Sequence, residues 1–203
     1  PQDLIQFKFG TKSETLQLLQ GKVKKSTILP QVKFTVEEFN NKSSDIIEHI
    51  QDSFDSDKVV VRSSAINEDT ALSSMAGNYH SILHVKRKDK IELERAINEV
   101  IESYQKGSSE FYSQNQVFVQ PQLENVDASG VLFTKDLETS APYYTINYET
   151  SGGTDAITSG KGDDDLTTYF YYKNSSIGPA DKKLNKIIEA AKEIELITKH
   201  SSL

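Results

Sequence analysis

The spacing of apolar residues changes about halfway along the chain. In the first half, apolar residues recur every three or four positions over 43–54 and 89–105, which predicts two helices. A shorter amphipathic segment follows Lys12 and predicts a third. Between these segments, runs rich in β-branched residues predict strands at 58–62 and 81–85.

The second half consists mainly of strand-like runs separated by turn-rich stretches. The predicted elements are strands at 116–123, 129–134, 143–149 and 166–173 and a helix at 181–199. We therefore expect an α+β fold with two lobes, residues 1–108 and 109–203, and a cleft between them. Earlier in the chain, Thr35 is placed to cap the turn that holds Glu37 and Glu38.

Composition narrows the class of protein. The chain has 203 residues, 36% of them hydrophobic, with a formal net charge of −7 and no cysteine. The lack of cysteine excludes disulfides and thiolate chemistry. No apolar run is long enough to span a bilayer or resembles a signal peptide, and the negative charge argues against a general nucleic-acid surface. We expect a cytoplasmic protein whose partners include neither nucleic acid nor membrane.

The valine run at 58–62 ends on Arg62, followed by two serines. An arginine offers five donors in a planar fork, which suits a phosphate or a carboxylate. From the residues alone, a pairing of Arg62 with Glu68 or Asp69 is an equally good interpretation. Lys12 follows a glycine at a predicted helix start, where anions are favoured, although a single surface lysine is usually only solvated.

Two further stretches have a chemical and an ordinary interpretation. The small residues of 73–77 could bring backbone N–H groups close to phosphate oxygens, but a plain β-turn is commoner. The acidic run at 162–165 could hold a cation, but a solvated hairpin turn is commoner. The four histidines lack metal-ligand spacing, so we assign no metal ligand in this chain.

Several motifs occur together in a characteristic order. They are "FGTKSETLQLL", "VVVRSSAINEDT", "SMAGNYHSILHV", "VFVQPQL", "SGVLFTKDLET" and "INYETSGGTDAITSGK". In this combination the chain resembles the N-terminal ATP-binding domain of the phosphoenolpyruvate synthase and pyruvate phosphate dikinase family, which rifampin phosphotransferases share. The resemblance covers essentially the whole chain. It implies an ATP-grasp fold, with two lobes around a nucleotide cleft, truncated at the C-terminus.

The resemblance also implies roles for single residues, with ATP and Mg²⁺ as cofactors. Lys12 and Arg62 would hold the ATP phosphates and act in catalysis. Gly77 and Ser81 would belong to a loop that covers the phosphates. The remaining nucleotide-binding residues would be Gln120, Gln122 and Leu123 at an adenine-contacting hinge, and Glu149.

The resemblance implies phosphoryl transfer from ATP to a histidine on a separate domain. The partners would be the phosphohistidine and substrate domains of the same enzyme. Thr154 and Asp155 depart from the family's usual glycine and glutamate. The family's Asp-x-Glu and Gln-x-Arg-Pro segments, which supply metal and phosphate ligands, would follow Leu203. We therefore expect a fragment that is inactive alone, with its metal ligands mostly beyond Leu203.

Two alternatives remain open from the sequence. The short connector "ILPQVKFTVEEF" is similar to that of capsule-associated relatives such as L-glutamine kinase, which phosphorylates an amide nitrogen. The departure at Asp155 is also compatible with a non-catalytic ATP-grasp-like binding module that has kept the fold and lost the chemistry.

Overall fold

The chain packs as two compact units. The computed structural model describes residues 7–66, 81–106, 109–150 and 166–199, with the side chains of 106, 109 and 110 outside this description. The first unit comprises Phe9–Leu19 and Ile28–Leu123, and the second comprises Pro1–Lys8, Gln20–Thr27 and Glu124–Leu203. The sequence predicted two lobes of an ATP-binding domain, residues 1–108 and 109–203. That division stays a prediction.

The first unit is a four-stranded antiparallel sheet with helices. Its elements are α1 (Lys12–Leu19), β1 (Val32–Thr35), α2 (Val36–Ser53), β2 (Lys58–Ser64), β3 (Ser81–Lys86), α3 (Lys90–Ser103) and β4 (Gln116–Pro121). Short 3₁₀ turns at Tyr104–Lys106 and Ser109–Gln114 connect α3 to β4. The strand order is β1-β4-β2-β3, so the first strand pairs with the last one of the unit.

The two faces of this sheet differ in chemistry because successive side chains of a strand point to opposite sides. On one face, Val59, Val61, Val117 and Val119 pack against α2 and α3 in the core of the unit. The opposite face, which we call the polar face, carries the alternate residues: Lys33, Val60, Arg62, Ser64, Gln116, Phe118 and Gln120.

Helix α2 begins seven residues before the start that apolar spacing predicted. Thr35 caps it, since its side chain accepts a hydrogen bond from the Glu38 N–H while the Glu38 carboxylate accepts one from the Thr35 N–H. The backbone departs from helical geometry at Lys42, with φ −142° and ψ 38°. The apolar spacing predicted only the later part of this helix because residues 40–45 are all polar, which separates Phe39 from Ile46.

A β-bulge interrupts the pairing of β2 with β3. Val59 pairs with Val85 and Val61 with Ile82, so one residue of β2 faces two of β3. His84 lies in this bulge with φ 59°, and its backbone N–H donates to Gln122 Oε1 at 3.3 Å.

The second unit contains a three-stranded antiparallel sheet and a helix. Its elements are β5 (Ser129–Phe133), β6 (Tyr143–Glu149), β7 (Thr167–Tyr172) and α4 (Lys182–Thr198), with strand order β5-β6-β7. Helix α4 packs Leu184, Ile188 and Ala191 against one face of this sheet. Gly130 is required at its position because a Cβ there would lie 2.5 Å from the carbonyl oxygen of Asn147.

Together the two units confirm the α+β class that the sequence predicted. Within the described ranges, no helix is both long enough and apolar enough to cross a membrane.

Candidate functional site

The centre of the polar face is a row of four residues, one from each strand. Lys33 pairs with Phe118, Phe118 with Arg62, and Arg62 with Ser81, so all four side chains stand on the same side of the sheet. We call this set the central row. It places two of the predicted site residues, Arg62 and Ser81, directly opposite each other on neighbouring strands.

Arg62 lies over an aromatic ring at the middle of this row. Its guanidinium carbon is 5.8 Å from the centroid of Phe118, within the range of a cation–π contact. Phe118 is fully buried, whereas Arg62 is half-buried. This contact and the partial burial restrict the side chain, so Arg62 loses less freedom when it binds an anion.

A buried pair of serines joins α1 to the end of β2. The Ser13 N–H donates to Ser64 Oγ at 2.9 Å, and the Ser64 hydroxyl donates to Ser13 Oγ at 3.1 Å. Neither serine is exposed to solvent. Because Ser13 follows Lys12 and Ser64 lies two residues after Arg62, this serine junction brings the two predicted catalytic residues to the same end of the sheet.

The amide groups at the start of α1 are already hydrogen-bonded. The Thr11 N–H donates to Glu14 Oε2 at 2.9 Å, and the Glu14 N–H approaches Thr11 Oγ1 at 3.5 Å, as in a capping box. The Ser13 N–H is taken by Ser64. The N–H groups of Ser13 and Glu14 therefore already have partners within the chain and are not open to an anion in this structure.

Gln116, at the start of β4, organises this end of the polar face. Its Oε1 accepts from Ser13 Oγ at 2.6 Å and from Thr11 Oγ1 at 3.0 Å, while its Nε2 donates to Glu14 Oε1 at 2.8 Å. Sequence reasoning missed both Gln116 and Glu14. The Thr-x-x-Glu spacing of Thr11 and Glu14 is a capping-box signal that could have identified the carboxylate, whereas Gln116 carries no local signal.

Hydrogen bonds and charge keep Glu14 ionised. The bond from the Thr11 backbone N–H, the bond from Gln116 and the positive charge of Lys33 lower the pKa of Glu14 from its ordinary value of 4.5, against the opposing effect of burial. A carboxylate thus lies among the cations of the polar face as a fixed counter-charge.

The three residues of the predicted adenine hinge lie at and after the end of β4. Gln120 is buried, and its side chain donates to the carbonyl of Leu29 at 3.4 Å. The Gln122 N–H donates to the carbonyl of Lys58 at 3.0 Å, and its side chain supports the bulge at His84. Leu123 is 55% exposed. The side chains of Gln120 and Gln122 thus have structural partners, while Leu123 is open to solvent.

The remaining predicted site residues lie elsewhere. Glu149 is in the second unit, at the end of β6, where it is buried and accepts a hydrogen bond from Ser129 Oγ at 3.1 Å. Gly77, Thr154, Asp155 and the acidic run at 162–165 lie outside the described residues. Among the residues that are described, no group of three or more histidine, aspartate or glutamate side chains could hold a metal ion.

The second unit has its own charged cluster and its own pocket. The Glu195 carboxylate accepts hydrogen bonds from Lys173 and from the Tyr144 hydroxyl. The pKa of Tyr144 is raised, mainly because the hydroxyl is buried and also because of its contact with this carboxylate. A pocket of about 480 Å³ opens between the sheet and α4. Its lining is mainly apolar, with Leu132, Ile146 and Ile187 among its residues. Neither feature contains a predicted site residue.

A polar sheet face with stacked and exposed cations beside a helix start is suited to an anionic ligand. The model of the family "Pyruvate phosphate dikinase, AMP/ATP-binding domain" matches residues 11–196. The chain therefore belongs to this family, which confirms the resemblance stated from its motifs, and it is an AMP/ATP-binding domain of that type.

No curated protein matches the chain. Among solved structures, the chain is similar to PH1788 from Pyrococcus horikoshii Ot3, with 15% sequence identity and a TM-score of 0.39. The match covers 93% of this chain and 73% of the PH1788 chain.

Proposed function

We propose that the chain binds the triphosphate of ATP on the polar face of the first unit, as the ATP-binding part of a phosphotransferase with an ATP-grasp fold. Lys12 and Arg62 hold phosphate oxygens, and Ser81 lies opposite Arg62 in the central row. The backbone near Leu123 contacts the adenine. Gly77 and Glu149 are further nucleotide-binding residues by the family resemblance.

The physical basis is charge compensation by groups already held in place. Arg62 contributes a planar fork that can bind two phosphate oxygens at once, and Lys12 contributes a compact point charge. Because Arg62 is stacked on Phe118 and the serine junction fixes the start of α1, little reorganisation is needed when the ligand arrives.

In the full-length enzyme, we propose that a phosphoryl group passes from ATP to a histidine nitrogen on a separate domain. A P–N bond forms to the histidine while a P–O bond of the polyphosphate breaks. Mg²⁺ would neutralise phosphate charge when bound together with ATP. The residues of this chain bind and orient the polyphosphate, while the phosphohistidine and substrate domains supply the acceptor.

One observation carries the proposal most directly. The serine junction places Lys12 and Arg62 at one end of one sheet, although 50 positions separate them along the chain. In a chain of the AMP/ATP-binding family, this supports a shared role at the polyphosphate.

The test is calorimetric titration of ATP with Mg²⁺ into the 203-residue chain and four variants. We expect Lys12→Ala and Arg62→Ala each to weaken binding at least about tenfold, since charge-assisted hydrogen bonds are worth about 1.5–3 kcal/mol. Lys90→Ala and Arg95→Ala are matched controls. Lys90, like Lys12, is the first residue of a helix, and Arg95 is exposed on α3. Equal affinity in all four variants would overturn the assignment.

A further inference from the structure

Lys33 lies on the polar face although no motif identified it. In the short strand β1, Val32 and Phe34 are buried in the core of the unit, so Lys33 between them points to the other side. It is exposed to solvent. The alternation of β1 therefore places a third cation on the face that carries Arg62.

The register of the sheet places Lys33 level with Arg62. Both residues pair with Phe118, one from each side, so they occupy the same row two strands apart. At about 4.8 Å per strand, their Cα atoms are about 10 Å apart. Two long cationic side chains that stand on one face at this separation can both reach the ends of one extended polyphosphate.

Lys33 also acts on the helix start that contains Lys12. Its charge is felt by Glu14, which Gln116 and the Thr11 N–H hold at the beginning of α1. Lys33 therefore belongs to the same group of charges as Lys12. The opposing carboxylate reduces the repulsion between these cations when no anion is bound.

We infer that Lys33 is a third cation of the polyphosphate site and that it distinguishes ATP from AMP by contacting the phosphates farther from the nucleoside. This inference rests on the proposed function. ATP differs from AMP by two further phosphates, which carry the additional negative charge. Lys33, on the edge strand β1 and level with Arg62, can bind the two outer phosphates of ATP. The single phosphate of AMP would not extend to it.

The purely structural alternative is an ion pair between Lys33 and Glu14 that only stabilises the fold. Exposed pairs of this kind are worth little. If that were the whole role of Lys33, its loss would change thermal stability slightly, and it would alter the binding of ATP and AMP by the same factor.

The experiment compares the affinities of ATP and AMP, each with Mg²⁺, for the unchanged chain and for Lys33→Met, Lys33→Arg and Lys86→Met. Lys33→Met keeps the apolar stem and removes the charge, whereas Lys33→Arg keeps the charge. Lys86→Met is the matched control, because Lys86 is an exposed lysine on the other edge strand of the same sheet.

We expect Lys33→Met to weaken ATP binding about tenfold and AMP binding less than about twofold, since one charge-assisted contact is lost only with the longer phosphate chain. Lys33→Arg should restore most of the difference, and Lys86→Met should change neither affinity. If Lys33→Met weakens ATP and AMP equally or not at all while Lys12→Ala and Arg62→Ala still weaken ATP, Lys33 has no such role and the proposed function stands. If the unchanged chain binds no ATP, both proposals fall.

Discussion

At the scale of single residues, the polar face depends on side chains that hold other side chains. Gln116 bonds Ser13, Thr11 and Glu14 at once, and Phe118 supports the guanidinium of Arg62. Such positioning residues add no charge of their own. Gln116 fixes the helix start that contains Lys12, and Phe118 supports Arg62, so these two neutral residues position two of the proposed phosphate-binding cations.

The stabilising role of Glu14 should depend on pH. Its folded-state pKa is lowered, so the ionised carboxylate is favoured by the folded chain. Its contribution is present above the ordinary value of 4.5 and is lost as pH falls through the folded-state pKa. We expect Glu14→Ala to lower the free energy of unfolding by about 1 kcal/mol at pH 7, and by much less at about pH 3.

Urea denaturation at both pH values measures this difference. Gln17→Ala is the matched control, because Gln17 is exposed on the same helix. A loss for Glu14→Ala that is as large at low pH as at pH 7 would contradict the role assigned to the ionised carboxylate.

At the scale of elements, caps determine where the helices of the first unit begin. Thr35 ends β1 and caps α2, so one residue fixes both the last position of an edge strand and the first turn of a helix. Asp89 caps α3, since its carboxylate accepts from the N–H groups of Ile91 and Glu92. Both helices pack on the sheet face opposite the polar face. Their caps therefore stabilise the layer that supports the sheet and the proposed site.

Removing the cap of α2 should therefore reduce stability without removing a charge from the polar face. We expect Thr35→Ala to lower the free energy of unfolding by about 1 kcal/mol, because the Glu38 N–H then loses its partner. Ser44→Ala, an exposed position inside the same helix, should stay within about 0.5 kcal/mol of the unchanged chain. Thermal unfolding followed by circular dichroism compares the two, and equal midpoints would show that this cap contributes nothing.

At the scale of the whole molecule, the two units bury cores of very different size. Among the described residues, the core of the first unit contains nineteen buried side chains and that of the second contains six. Since burial of apolar area supplies most of the stabilising free energy, the first unit provides the more stable platform. The proposed phosphate site lies on that larger unit.

This difference should appear in hydrogen exchange under native conditions. We expect the amides of β2 and β4 to be protected at least about tenfold more than those of β6 and β7, because regions with few buried contacts open more readily. Mass spectrometry of peptides from the four strands gives the comparison. Equal protection would mean that the two units open together, whatever the size of their cores.

Much of the secondary structure was predictable because the spacing of apolar residues within a short segment indicates a helix or a strand. The strand at 143–149 has the predicted bounds, and the predicted helices at 89–105 and 181–199 lie within two residues of α3 and α4 at each end. The start of α2 was missed because the polar run at 40–45 interrupts the apolar spacing between Phe39 and Ile46. The predicted roles of Lys12 and Arg62 depended on motifs rather than on spacing, and they stay predictions.

By itself, the sequence determined the types of the main elements and the family to which the chain belongs, since apolar spacing and motifs are properties of neighbouring residues. Only the tertiary structure decided that β1 pairs with β4 and β4 with β2. Strand order is set by packing between segments far apart in the chain, and no local pattern encodes it. That order alone brings Lys33 level with Arg62, and the serine junction brings α1 beside them.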